Sequence, residues 1–181
     1  APATEEAPLA KEAPLAKEAP VAEAALATKK TTIVLSMIVK NESKIIERLL
    51  ESVLPMIDAY CICDTGSTDD TIQRIKTYMD RVGKPGTVLE EQFRDFGYNR
   101  TFALKAADAW GDYALLIDAD MKLVIGKTFD PAQLTENSYL VKQVAGSMEY
   151  YNTRLIKTKI GATCIGPTHE YYDIPGGRSA R

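Results

Sequence analysis

Cysteine is scarce in this chain, histidine and tryptophan are scarcer, and neither a long apolar run nor an excess of positive charge is present. Each shortage closes off a class. Three cysteines among 181 residues cannot all pair, and their spacing fits no disulfide framework, so reduced thiols and a cytoplasmic location are expected. Cys61 and Cys63 alternate within one apolar run while Cys164 stands far off, which argues against a paired-cysteine metal site. Apolar runs fall short of the about 18 residues that a membrane span requires, so no span is expected. A net charge of −3 without a basic cluster makes nucleic acid an unexpected partner. The N-terminus also lacks the basic-then-apolar order of a secretory signal.

What is present begins with a tail. Residues 1–30 repeat Glu-Ala-Pro-Leu-Ala-Lys, and Pro2, Pro8, Pro14 and Pro20 interrupt any helix. Ala, Glu and Lys bring little apolar surface to bury, so a disordered, polyproline-like linker without chemistry is expected there. One folded domain is expected over residues 31–175, followed by a frayed glycine-rich end at 176–181. The chain opens on Ala rather than Met, and a longer parent protein is expected to continue beyond it.

Periodicity organises the middle. Residues 32–39 form a nearly continuous, β-branched apolar run, as a buried parallel strand should. Ile45, Ile46, Leu49, Leu50 and Val53 then recur at helical spacing, with Ser43 as the expected cap and Pro55 past the end. A second strand over 59–63 leads through a turn at 64–70 to a helix face of Ile72, Ile75 and Met79. Ser67 and Asp70 are spaced as a capping box, with Asp69 a further capping candidate. A third strand over 87–89 and a helix over 99–110, ended by Gly111, complete the alternation. Such alternation predicts an α/β fold with a mostly parallel central sheet flanked by helices. Past Asp120 the pattern changes: a break at 129–131 opens one helical turn, and strands over 139–144 and 150–156 meet at Gly146-Ser147. The C-terminal part is therefore expected to be small and β-rich.

The last strand of the alternation, residues 113–117, runs into Asp118-Ala119-Asp120. In an open α/β sheet the carboxyl ends of the strands form the ligand crevice. Two hard oxygen donors there suit Mg²⁺ or Mn²⁺, which would hold a diphosphate. Taken alone, Asp-x-Asp reads more readily as a solvated turn.

Four strings together resemble glycosyltransferase family 2 of the GT-A, Rossmann-like fold, in its bacterial-type branch. They are Leu-Ser-Met-Ile-Val-Lys-Asn-Glu at 35–42, Asp-Thr-Gly-Ser-Thr-Asp at 64–69, Asp118-Ala119-Asp120, and the pair His169-Glu170. The resemblance implies a metal-dependent, inverting transfer of a sugar from a nucleotide-diphosphate donor, a UDP-sugar above all, to an acceptor hydroxyl. It places Asn41, Glu42 and Asp64 at the base and ribose. Asp120 and His169 become metal ligands, and Asp118 serves the ribose or, through water, the metal. Arg100 stands at the arginine of the family's Arg-Asn pair, near the phosphates, with Thr101 in place of the asparagine. Glu170 is the implied base, with Glu149 and Asp173 in reserve.

Plainer readings stand beside these. Arg100 reads also as a solvated helix-start arginine, His169 as a structural histidine, and Glu170 as the partner of a surface arginine. Tyr150, Tyr151, Tyr171 and Tyr172 suit a sugar subsite or a core. The acceptor, a glycan, protein or small molecule, is left open. Competing functions are a nucleotide-sugar-binding module without turnover and a sugar nucleotidyltransferase. The latter normally carries a glycine-rich loop after its first strand, and residues 40–43 hold no glycine.

Overall fold

The computed structural model describes residues 30–177 and 179–180; the expected linker lies almost wholly outside them. The chain runs β1 (Ile33–Val39), α1 (Ile46–Val53), β2 (Ala59–Asp64), α2 (Thr71–Val82), β3 (Gly86–Glu90), α3 (Phe96–Ala107) and β4 (Tyr113–Leu116). A single 3-10 turn at Pro131–Gln133 precedes β5 (Ser138–Ala145) and β6 (Met148–Lys157). Short strands β7 (Thr163–Ile165), β8 (Tyr171–Asp173) and β9 (Ser179–Ala180) follow. The main sheet has the order β3-β2-β1-β4-β6-β5-β9, and β7 pairs with β8 in a second sheet. β3, β2, β1 and β4 are mutually parallel, whereas β6 runs antiparallel to both β4 and β5. This is the mostly parallel, helix-flanked sheet with a small β-rich C-terminal part that the alternation predicts.

Strand parity divides the core. Ile33, Leu35, Met37 and Val39 of β1 join Leu49, Leu50, Ile75 and Met79 of α1 and α2 on one face. Val34, Cys61, Ala114 and Leu116 pack with Leu104 and Ala107 of α3 on the other. β1 and β2 are buried on both sides, hence their unbroken apolar sequence. All three cysteines are free and buried.

Several expected boundaries move, each for a local reason. Ser43 does not cap α1: its N–H donates to Asp69, and the Glu42 carbonyl accepts from Ile45 and Ile46 at the helix start. Ser67 and Asp70 form no capping box. The Ser67 hydroxyl donates to Asp64 and accepts from the Asn41 N–H, and Asp69 takes the Thr71 N–H at 3.0 Å. Helix α3 begins three residues before position 99 because the Asp95 carboxylate accepts from Tyr98 N–H. It ends at Ala107, before Gly111. Gly111 instead lies against β1, where a Cβ would come within 3.1 Å of the Val34 nitrogen. Ser179 and Ala180, expected to fray, pair in parallel with the start of β5.

Candidate functional site

Parallel strands β1, β2 and β4 end on the same side of the sheet, and α3 begins beside them. Ile117 and Ala119 carry the alternation of β4 into the α1–α2 face, so Asp118 turns the opposite way, toward α3. A turn closed by Met121 N–H on the Asp118 carbonyl, at 3.0 Å, then brings Asp120 into solvent. Arg48 of α1 holds the Asp120 carbonyl at 2.8 Å. The Asp120 carboxylate has no hydrogen bond or ion pair among the described residues.

Two cavities meet here. The first, about 470 Å³, opens over the strand ends and is lined by Lys40, Glu42, Thr65, Phe93, Phe96 and Asp120 among others. The second, about 420 Å³, lies toward β6 and the β7–β8 connection, and its walls include Asn152, Arg154, His169, Glu170 and Tyr171. Arg100 and Asp118 line both and form the partition.

The partition is an ion-pair chain. Arg100 donates from Nη2 to Asp118 Oδ1 at 2.8 Å and from Nε to Glu170 Oε1 at 3.0 Å. Arg154 of β6 donates from Nη1 to the other Asp118 oxygen at 3.2 Å. Each Asp118 oxygen thus faces a guanidinium. Burial opposes the Arg100 charge, yet Asp118 first, with Tyr172 and Glu170, more than offsets it and holds the guanidinium above its ordinary pKa. On the open side the balance is reversed. Burial, then the Asp120 and Asp69 charges, raises the Glu42 carboxyl above its usual range.

Phe93 and Phe96 meet edge to face, with centroids 5.2 Å apart, on the wall of the first cavity. Both keep exposed surface, Phe93 in the loop before α3 and Phe96 at the first position of the helix.

The residues singled out in the sequence divide in two. Glu42, Arg100, Asp118 and Asp120 come together around the first cavity, and His169 and Glu170 face Arg100 and Asp118 across the second. Asn41 and Asp64 have local duties. The Asn41 side chain accepts from Thr68 N–H at 2.7 Å, and Asn41 itself takes a left-handed φ of 57°. Asp64, 2% exposed, accepts from the N–H groups of Gly66 and Ser67 at 2.9 and 2.8 Å. Glu149 sits on the outer part of the β5–β6 hairpin, paired with Lys142. Tyr150 and Tyr151 are exposed nearby. Among the described residues no three His, Cys, Asp or Glu side chains gather as a metal cluster, so Asp118, Asp120 and His169 do not form one.

Arg154, Phe93 and Phe96 were missed from the sequence. The aromatic pair had a signal, two phenylalanines three residues apart beside Arg94 and Asp95. Arg154 had almost none, since only the antiparallel placement of β6 beside β4 brings it to Asp118.

Residues 35–126, just over half of the chain, match the model for "Glycosyl transferase family 2". This chain belongs to glycosyl transferase family 2. A TPR repeat-containing protein of Synechococcus elongatus is 28% identical over 157 residues, covering 82% of this family 2 chain and 37% of the relative. Among solved structures, S. aureus TarS in complex with UDP is 26% identical, with a TM-score of 0.42 over 49% of this chain and 27% of that one. Glucosyl-3-phosphoglycerate synthase from Mycobacterium tuberculosis, solved with Mn²⁺, UDP and glucosyl-3-phosphoglycerate, is 26% identical. Its TM-score is 0.36, over 50% of this chain and 34% of that one. The chain therefore spans well under half the length of these relatives.

Proposed function

We propose that this chain forms the donor-binding and catalytic region of an inverting glycosyltransferase that moves a sugar from a nucleoside diphosphate, UDP foremost, to an acceptor hydroxyl. The observation that carries this reading is the pair of cavities sharing one wall. A donor in the first would bring its sugar to the Arg100–Asp118 partition, across which Glu170 stands. Phe93 and Phe96 offer the nucleoside an aromatic face, and Glu42 offers a carboxyl to a ribose or base edge.

A divalent ion fits the residues present, though not as a three-ligand site. Mg²⁺ and Mn²⁺ are commonly held by one or two carboxylates together with substrate phosphates and water. Asp120 is exposed and uncommitted, and a cation there would offset the Asp120 charge, which adds to burial in raising the Glu42 carboxyl. Asp118, with both oxygens facing arginines, is the poorer donor. When bound, such an ion supplies positive charge to the departing diphosphate.

The residues of the chain divide the remaining work. Arg100 stabilises negative charge as the nucleoside diphosphate leaves. Asp118 holds Arg100 and Arg154 in place. Glu170 takes the proton of the acceptor hydroxyl as that oxygen attacks the anomeric carbon from the face opposite the leaving group. His169, on the wall of the second cavity, orients the acceptor or the diphosphate. Hydrolysis of UDP-glucose with and without Mn²⁺ tests the reading. Mn²⁺-dependent release of UDP is expected; UDP binding without any turnover would instead make the chain a binding module.

A further inference from the structure

Glu170 can act only if the segment that carries it is held in place, and that segment is short. It is the connection between two three-residue strands, β7 and β8, whose pairing sets Cys164 opposite Tyr172. A two-stranded sheet of this size is marginal unless something packs against it. The edge of β7 away from β8 meets the face of α3 made by Gly97, Arg100 and Thr101.

Two contacts make the junction. Gly97 N–H donates to the Gly166 carbonyl at 3.0 Å. The approach is so close that a Cβ on Gly97 would lie 2.8 Å from the Gly166 oxygen. One turn further along the helix, the Thr101 hydroxyl accepts from Cys164 N–H at 2.8 Å and donates to the Cys164 carbonyl at 3.2 Å. A hydroxyl has one proton and two lone pairs, so it can close both backbone groups of one strand residue at once. Arg100 sits on the same helix face and reaches over this junction to Glu170 and Asp118.

We propose that Thr101 is a positioning residue: by clamping the Cys164 backbone it fixes the β7–β8 connection, so that Glu170 stands opposite the donor at the distance transfer requires. The inference rests on the role given to Glu170 above. Thr101 touches no reacting atom. It acts through the loop it holds, and the same helix thereby sets Arg100 on one side of the partition and Glu170 on the other.

Thr101→Val keeps the branched shape and removes the hydroxyl. Three measurements on the whole chain decide the matter: UDP affinity by calorimetry with Mn²⁺, UDP-glucose hydrolysis kinetics, and amide hydrogen exchange over residues 163–170. The proposal expects unchanged UDP affinity and KM with kcat lower by about 10–100-fold, the usual effect of a misplaced catalytic group. Exchange should quicken at 163–170 and nowhere else, and Thr101→Ser should restore both kcat and exchange. An unchanged kcat, or a fall in kcat matched by lost UDP affinity, would overturn it. Should Thr101→Val fail to fold, Thr101→Ser and Thr101→Ala pose the same question, and equal behaviour of the two would refute the clamp. If wild type neither binds UDP nor hydrolyses UDP-glucose, the reading of the site falls. The clamp then stands or falls on exchange alone, and unchanged exchange at 163–170 in Thr101→Val contradicts it.

Discussion

Asp118 and Asp120 are one residue apart and have opposite surroundings. Asp118 is held between two guanidinium groups, and Asp120 faces solvent with its carboxylate free. Their loss should therefore read differently in stability. Asp118→Ala leaves two largely buried arginines short of a partner and should cost roughly 1–3 kcal/mol, whereas an exposed change such as Asp120→Ala should stay within about 0.5 kcal/mol. Urea denaturation of the two variants checks the order. Glu170→Gln keeps size and hydrogen bonding but removes the proton acceptor, so transfer or hydrolysis should fall by about 10²–10⁴-fold with UDP affinity unchanged. Near-normal turnover in that variant would take Glu170 out of the mechanism. Glu42 provides a pH test. Its raised pKa means that the folded state binds this proton more readily than the unfolded chain, so ionised Glu42 is a liability at neutral pH. Glu42→Gln should raise the melting temperature at pH 7, and the gain should fade as pH falls through the raised Glu42 value and the wild-type carboxyl protonates. Added salt should shrink it too. The sequence displayed the two aspartates as a pair; which of them is free depends on partners 18 and 36 residues away, on α3 and β6.

At the scale of elements, α3 governs the site. Its start was invisible to apolar periodicity because the first turn, Phe96-Gly97-Tyr98-Asn99, is fixed by the Asp95 cap and by contacts with a distant loop. The β1–α1–β2–α2 order was legible because those elements are long, regular and buried. β7 and β8 were not, being three residues each and stabilised by α3 rather than by any pattern of their own. Gly97 offers a prediction with competing terms. Gly→Ala within a helix normally gains up to about 1 kcal/mol from propensity. Here the new methyl would meet the Gly166 carbonyl at 2.8 Å, and overpacking of that kind costs typically about 1–3 kcal/mol. The clash should win, so Gly97→Ala should melt below wild type, while the same substitution at exposed Gly126, which has open space around it, should not.

Across the described residues, the sheet serves as a frame that sets the two adjoining cavities side by side. The parallel strands β1, β2 and β4 deliver the first cavity, the antiparallel β6 delivers Arg154 and the second cavity, and Arg100 joins them. That β6 would lie against β4 could not be read from the chain, because a hairpin pattern does not say which edge of a sheet it joins. Among the described residues no helix is long and apolar enough to cross a membrane. In the proposed function the first cavity takes a nucleoside diphosphate with a divalent ion held by Asp120. Calorimetric titration of UDP into wild type and Asp120→Ala, each with and without Mn²⁺, tests it most directly. Wild type should bind UDP with Mn²⁺ and only weakly without it, and Asp120→Ala, with its fold intact, should lose the Mn²⁺-dependent part. Equal affinity and equal metal dependence in the two proteins would contradict the account and return Asp118-Ala119-Asp120 to an ordinary solvated turn.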